Sequence, residues 1–464
     1  MSVGRAAKTI ENPFLTLPVR RLFLSNALPM AVVMSTSGLL NVVDGMFVGH
    51  FIGAHALAAV SLAFPVAMLL TALTTLTGGG MSSLMARHLG KGARRDAGAV
   101  FAGAHGLALA LSAALMLGAL MFGPSLVSFL AAGNEPVAAP ARAYLQILIL
   151  GAPVQFGLGL HADALRNEGR SGHIALLSVI VNLLNVAANY IAIVVLDFGI
   201  AGSAIGTVAA QALGVMLLLL VRKRDPALLP LDMIRNASWL TGWRQILALG
   251  LPLSLSFIGM ALVAGTVLLA IGNTAADHGT YVAAYGIVTR ILGLAFLPQM
   301  AIALTTQSIT GNNVGAGRTD RASAALRLAI GCAFLWCLGV TLTAMLAGEM
   351  LGALFSDNQE VIIAVAAIMR PMTALYAVTG PILVLAMHYQ AMGYPLRTAV
   401  LTLGKPWLLT PVLVVVLNAH SGLQGLWYAF PAADAALALV ALMIIFRSRV
   451  FDTTPTTLLI KERP

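Results

Sequence analysis

Apolar residues run along this chain in long stretches separated by short clusters of Gly, Pro, Asn and charged residues. A helix needs about 20 apolar residues to cross the roughly 30 Å of hydrocarbon in a bilayer. Twelve stretches reach that length, at roughly 22–43, 56–77, 97–121, 141–162, 173–195, 198–221, 246–271, 281–309, 322–346, 361–389, 398–417 and 423–446. The pattern predicts an all-α integral membrane protein with twelve transmembrane helices, numbered below as spans 1 to 12. Residues 1–21 carry Arg5, Lys8, Glu11, Arg20 and Arg21. No small-residue cleavage site follows the first apolar stretch, so it reads as a retained span.

Composition excludes the soluble alternatives. Of 464 residues, 59% are hydrophobic and 9% charged, and the mean hydropathy is +0.91. Soluble domains carry about 25% charged residues, and 27 Lys and Arg with 17 Asp and Glu could not solvate about three domains. A disulfide scaffold is excluded by the presence of only two cysteines, Cys332 and Cys337, which read as core packing. The net charge of +10 raises nucleic acid as a partner until its distribution is read. Basic residues gather at the N-terminus, in the 2–3, 4–5, 6–7, 8–9 and 10–11 connections and at the C-terminus, 22 of 27 in all. The intervening loops hold Glu135, Asp197, Asp277, Glu349, Asp357 and Glu360 and no bases. The positive-inside rule therefore places both termini in the cytoplasm. The charge is topology, and no nucleic-acid partner is implied.

The chain repeats itself. Leu28-Pro29-Met30 matches Leu251-Pro252-Leu253, Ala58-Ala59-Val60-Ser61 matches Ala283-Ala284-Tyr285-Gly286, and Gly199 and Gly202 match Gly422 and Gly425. Residues 1–221 form one six-helix lobe, 222–245 a basic cytoplasmic linker, and 246–464 the second lobe. An even number of spans per lobe gives both repeats one topology, related by a pseudo-twofold axis along the membrane normal with a cleft between them.

These residues resemble the multidrug and toxic compound extrusion (MATE) transporters. The resemblance rests on Asn41-Val-Val-Asp44-Gly-Met-Phe-Val-Gly49-His, Gly78-Gly-Gly-Met-Ser-Ser, Ala86-Arg87-His-Leu-Gly90 and Gly202-Ser-Ala-Ile-Gly-Thr207. In the second half it rests on Ala284-Tyr285-Gly286-Ile, Gly311-Asn-Asn-Val-Gly315-Ala-Gly317-Arg318 and Gly422-Leu-Gln-Gly425-Leu-Trp427. It covers all twelve spans and looks closest to the DNA-damage-inducible and archaeal-type branch. Met260 stands where the norfloxacin-transporter branch has a Glu.

Embedded polar groups carry the candidate chemistry, because a carboxylate in hydrocarbon is costly and by default functional. Asp44 ends span 1, fifteen residues after Pro29, which should bend the helix and free backbone carbonyls. The competing reading of Asp44 is an interfacial acid at the helix end. On span 5, Ser178, Asn182, Asn185 and Asn189 follow at spacings of 4, 3 and 4 and share one face. They form either a cavity wall or interhelical hydrogen-bond glue. The resemblance implies a first-lobe cation site of a span-1 acid, an Asn and an Asp four apart on span 5, and a span-6 Thr. Those positions are Asp44, Asn185, Asn189 and Thr207, with Tyr144 a hydrogen-bond partner. This chain departs from the pattern, since Asn189 replaces the second acid. One carboxylate with amide and hydroxyl oxygens suits Na⁺; equally, Asp44 could carry a proton. Either ion is the expected coupling agent, with no cofactor and no metal beyond Na⁺ at these residues.

Other groups read more weakly. Lys405 and Asp434 are expected to pair within the second lobe, with Asp434 contacting cationic substrate as the alternative, and Arg290 and Arg370 are further candidates for such pairs. Phe64, Phe156, Phe257, Phe296 and the 20 methionines could line an adaptable chamber, and Asn182, Ser178, Met260 and Asp434 are further cavity candidates. His105, His161 and His388 read as structural. Gly311–Arg318 lacks the Gly-Lys-Ser/Thr ending of a nucleotide loop and reads as a capping turn, so no ATPase is expected. The expected protein is a monomeric, multi-pass antiporter of the cell (inner) membrane, not an enzyme, exporting small amphipathic, cationic compounds against H⁺ or Na⁺. A lipid-linked saccharide flippase and a non-transporting scaffold are the rivals. The orientation is checked by cysteine labelling in a background without Cys332 and Cys337. A cysteine at Asp357 should react with an impermeant reagent on intact cells, and one at Arg95 only after permeabilisation.

Overall fold

The computed structural model describes residues 12–131, 134–275 and 277–448. The basic residues Arg5, Lys8, Arg449, Lys461 and Arg463 lie outside the described residues. Among those described there are helices and no strands. Span 1 is Val19–Phe51, span 2 Ala54–Gly90 and span 3 Arg94–Leu130. Span 4 is the pair Glu135–Leu150 and Ala152–Asn167, bent by 46°. Span 5 is Ser171–Tyr190 with a wide terminal turn Ile191–Val195, and span 6 is Gly199–Arg224. The second half repeats this with Trp243–Thr274, His278–Gly315 and Thr319–Ala353 as spans 7 to 9. Span 10 is again a bent pair, Gln359–Met372 and Tyr376–Met392, at 55°.

Spans 11 and 12 come from one helical run, Pro395–Ser448, of 54 residues. A straight helix of that length would measure about 80 Å at 1.5 Å per residue, far beyond the roughly 30 Å of hydrocarbon. The run turns back at Gly422, whose φ of 57° and ψ of −146° are non-helical and open to glycine alone at low cost. Gly425 then packs against the Leu417 carbonyl, a contact impossible along a straight helix. The division at Gly422 gives the twelve expected spans. Most helices outrun the apolar stretches that revealed them, because hydropathy marks only the part of a helix that lies in lipid.

Each lobe has its own apolar core, and each lobe's first span leans on the other lobe at the end bearing the basic loops. Leu22, Phe23 and Ala27 of span 1 are buried with Met300, Ala303 and Leu385 of the second lobe. Reciprocally, Ile246 and Leu249 of span 7 are buried with Met81, Met85 and Phe101 of the first. The segment before span 1 also crosses over: Phe14 is fully buried in the second lobe's core, and Arg321 donates to the carbonyls of Phe14 at 3.2 Å and Leu17 at 2.6 Å. The 222–245 linker is clamped under the first lobe. Arg222 is still helical and pairs with Glu168 at 2.9 Å, and Glu168 accepts the Leu229 N–H at 2.6 Å.

The basic end of the cleft is closed by backbone contact related by the repeat. Gly90 of span 2 abuts the Asn312 carbonyl of span 8, and Gly315 of span 8 abuts the Arg87 carbonyl of span 2. Around this pair runs a buried polar seam. Arg166, 2% exposed, pairs with Asp163 at 2.9 Å and donates to Ser82 at 2.9 Å, Gln307 at 3.1 Å and Ser308 at 3.2 Å. Gln307 also donates to Gln390 at 2.7 Å. A side chain at Gly90 or Gly315 would overlap a backbone carbonyl, and such overpacking costs roughly 1–3 kcal/mol. Gly90→Val and Gly315→Val should therefore wedge this end open. A reporter cysteine at Ser308, unreactive to a cytoplasmic thiol reagent in the parent, should become reactive in either variant.

Candidate functional site

The candidate site lies in the first lobe, away from the closed end, where spans 1, 5 and 6 meet. Span 5 presents its polar stripe inward because three amides facing lipid would each need a partner that hydrocarbon cannot supply. The structure pairs the part of the stripe farther from the closed end. Asn189, 1% exposed, donates to Asp44 Oδ1 at 2.8 Å and to Asn185 Oδ1 at 3.2 Å. Asn185, 2% exposed, donates in turn to Thr207 Oγ1 at 3.2 Å. One chain of hydrogen bonds thus joins Asp44, Asn189, Asn185 and Thr207, the four positions singled out from the sequence. Tyr144 of span 4 is half-buried beside this group, within electrostatic range of Asp44. It makes no hydrogen bond to it among the described residues.

One atom in this chain is unsatisfied. Asn189 Oδ1 is buried without a hydrogen-bond partner and points at Gly206, where a Cβ would collide with it. A buried carbonyl oxygen left unmade costs about 1–3 kcal/mol. On the other side of the amide, Asn189 Nδ2 meets the Asp44 carboxylate and the Asn185 carbonyl oxygen, and Asn185 in turn meets the Thr207 hydroxyl. The oxygens of this set fit a hard monovalent cation or a proton, and no group of three or more His, Cys, Asp and Glu suited to a transition metal occurs among the described residues. The wide turn Ile191–Val195 begins two residues beyond Asn189. Such turns carry an extra residue and cluster at functional sites; composition gave no sign of it.

The other candidates disperse. Ser178 and Asn182 are half-buried further along span 5 and join no part of the chain, with Asn182 Nδ2 itself buried and unpartnered. Span 1 runs through Pro29 as a single helix, without a break at that residue. Met260 is exposed on span 7. Phe156 is fully buried with Phe101, Leu160 and Met85 in the first lobe's core. It packs the lobe and does not line a chamber, because its aromatic area is worth most where it excludes water completely. Asp434 pairs with Lys405, as its charge and position suggested. Arg290 is exposed, and Arg370 meets Glu349 at 3.6 Å, both half-exposed. His105 and His161 touch each other at 3.4 Å, and His388 bonds Thr310 at 2.9 Å.

Sequence reasoning missed the buried seam at the basic end. Arg166 reads from sequence as a loop cation orienting the protein, yet it ends span 4 and is buried between the lobes. The signal was present in the polar run Thr305-Thr306-Gln307-Ser308 inside an apolar span, fully or almost fully buried in the structure. Likewise Gly311, Asn312 and Asn313 belong to helical span 8 itself, and the turn begins only at Ala316.

Comparison with known proteins agrees with this architecture. The sequence model of the MatE family matches residues 29–191 and again 252–416, two matches whose starts are 223 residues apart. The FAD transporter of Shewanella oneidensis is 25% identical over 460 residues, 96% of this chain and 98% of that protein. The multidrug export protein MepA of Staphylococcus aureus is 23% identical over 453 residues, 96% and 97% of the two chains. Among solved structures, a MATE in complex with MaL6 superposes with a TM-score of 0.86 at 25% identity, covering 96% of this chain and 99% of the other. A MOP-superfamily transporter from Pyrococcus furiosus gives 0.86 at 26%, covering 96% and 98%. With both lobes matched by the family and the whole chain superposing on its structures, this protein belongs to the MatE family of multi-pass membrane transporters.

Proposed function

We propose that the protein is a secondary antiporter that exports small amphipathic, cationic compounds in exchange for H⁺ or Na⁺. Both termini are cytoplasmic, the unit of transport is the monomer, and Asp44 carries the coupling ion. The observation that carries this reading is the Asp44–Asn189–Asn185–Thr207 chain with its unpartnered carbonyl oxygen. As arranged, Asn189 turns its N–H toward a carboxylate. A primary amide is nearly symmetric in shape, so a half-turn would bring Oδ1 to the same place. In that orientation the amide accepts from a protonated Asp44, or joins the carboxylate in holding Na⁺. The site therefore has two hydrogen-bonding states, one for the empty carboxylate and one for the loaded one.

Transport follows if span 1, which carries Asp44, packs differently in the two states. The inner end of span 1 is buried against the second lobe, so movement at Asp44 has a mechanical route to the closed end of the cleft. Cation entry from outside would favour the state that has released substrate, and release of the cation inward would reset it. Such exchange requires only that ion and substrate prefer different states. MepA is a multidrug export protein, which supports efflux over lipid-linked saccharide flipping. The FAD transporter makes flavin nucleotides the informative competitor in any substrate screen.

Purified protein in liposomes should export a lipophilic cation when a proton or sodium gradient is imposed, each tested alone. Asp44→Asn should lower the gradient-driven flux at least about tenfold, a loss of about 1.4 kcal/mol of coupling, with the folded yield unchanged. Flux indifferent to both gradients, or an Asp44→Asn variant that transports normally, contradicts the reading.

A further inference from the structure

The second lobe contains a buried charged group of its own, apart from Asp44. Lys405 of span 11 and Asp434 of span 12 form an ion pair in mid-lobe, the carboxylate 1% exposed and the lysine side chain 27% exposed. Of the chain's five lysines, Lys91 and Lys223 sit at the basic end and Lys8 and Lys461 near the termini; Lys405 alone falls in mid-span. Asp434 Oδ1 accepts from Lys405, while Oδ2 is buried with no hydrogen-bond partner. Polar groups of spans 9 and 10 lie close to this carboxyl. Tyr376 of span 10 and Cys337 of span 9 lie within electrostatic range of it. Both also bond Gln299 of span 8, at 3.2 and 3.5 Å, and Thr379 reaches Cys337.

Two features set this group apart from structural glue. The helices are irregular where they meet it: span 11 has a wide turn over Gly404–Leu409 that includes Lys405, and span 10 breaks between Met372 and Tyr376. Irregular backbone at membrane depth is tolerated only where protein buries it or a water-filled cavity lies beside it, and discontinuous helices of this kind build ion sites. The fold itself does not require the pair. At the 223-residue offset between the two family matches, Lys405 corresponds to Asn182 and Asp434 to Gln211, both neutral. A buried ion pair is commonly no better for stability than apolar residues of the same volume.

We propose that Asp434, held by Lys405 inside the second lobe, is a second proton site of the transport cycle. The proton forms the O–H bond at Oδ2, the oxygen without a partner, and Lys405 keeps its own three protons. The pair thereby passes from net zero to +1, as Asp44 passes from −1 to zero. Each loading adds one positive charge to its lobe, so both disfavour a cationic substrate in the same state. A second Na⁺ has no place here, because the ammonium already occupies the carboxylate. This proposal rests on proton-driven exchange at Asp44 and extends it to two protons per substrate.

The test is the substrate gradient at which flux stops, measured in proteoliposomes at zero membrane potential. For two protons, a tenfold proton gradient should balance about a 100-fold substrate gradient; in Lys405→Leu/Asp434→Leu, which leaves neither charge unpaired, it should balance about tenfold. An unchanged ratio in the double variant overturns the second site and leaves Asp44 coupling intact. Flux driven by sodium alone overturns it as well. Infrared difference spectra on acidification provide a readout that does not require transport. Asp44→Asn should retain the carbonyl stretch of a protonated, buried carboxylic acid, and Asp44→Asn combined with the double substitution should lose it. Absence of that band in Asp44→Asn overturns the proposal, whereas failure of any ion gradient to drive flux, with the band present, refutes the exchange reading and with it the two-proton stoichiometry, leaving Asp434 a protonation site without a transport role.

Discussion

The structure is governed by the cost of placing polar groups where water is absent. In hydrocarbon every backbone N–H and C=O must be satisfied within the protein, which is why the described chain is helical throughout. The same cost applies to side chains, so the charges that are withdrawn from the surface of the spans sit in organised settings. Asp44 is held by Asn189, Asp434 by Lys405, and Arg166 by Asp163 with Ser82 and Gln307. Three charged groups thus mark three places with different tasks: a single carboxylate in the first lobe, a neutral pair in the second, and a seam between them.

The seam and the first-lobe site are linked through span 1. One part of it carries Asp44, while the part at the basic end is packed into the second lobe's core beside Met300 and Leu385. Span 7 makes the reciprocal contact with the first lobe, so each lobe grips the other by one helix. The paired contacts of Gly90 and Gly315 then close the basic end by backbone approach, with little flexible side chain between. A seam of this kind has few intermediate positions. Contact between carbonyls and glycines leaves little room for a partly open seam, as the alternating access proposed above would require.

Much of this was legible in the sequence, and the reason is again the bilayer. Hydrophobic length fixed the span count because lipid thickness is a ruler, and the basic loops stood out because acids occupy the other ends. The short motifs repeat at offsets of 223 and 225 residues, the same offsets that separate the starts and the ends of the two family matches. At the site, the spacing of Asn185 and Asn189 put them on one helix face but left a cavity wall and interhelical bonding both open, and their grouping with Asp44 and Thr207 came from the family pattern. What could not be read was long-range registry. Nothing local tells that Arg166 ends in a buried interface, that Phe156 faces inward, or that spans 1 and 7 cross to the opposite lobe. Those depend on how two lobes meet, which single-chain periodicity does not encode. The wide turns at Ile191–Val195 and Gly404–Leu409 were equally silent, because one extra residue in a turn leaves no compositional trace.

The central claim is that ion and substrate compete through Asp44, and binding linkage tests it most directly. The dissociation constant of a lipophilic cation should be measured on the purified protein over a range of proton and sodium concentrations. The account predicts that one of these ions weakens substrate binding, that substrate weakens ion binding by the same factor, and that the dependence disappears in Asp44→Asn. A substrate affinity that ignores both ions, or an ion dependence that survives Asp44→Asn unchanged, would contradict it.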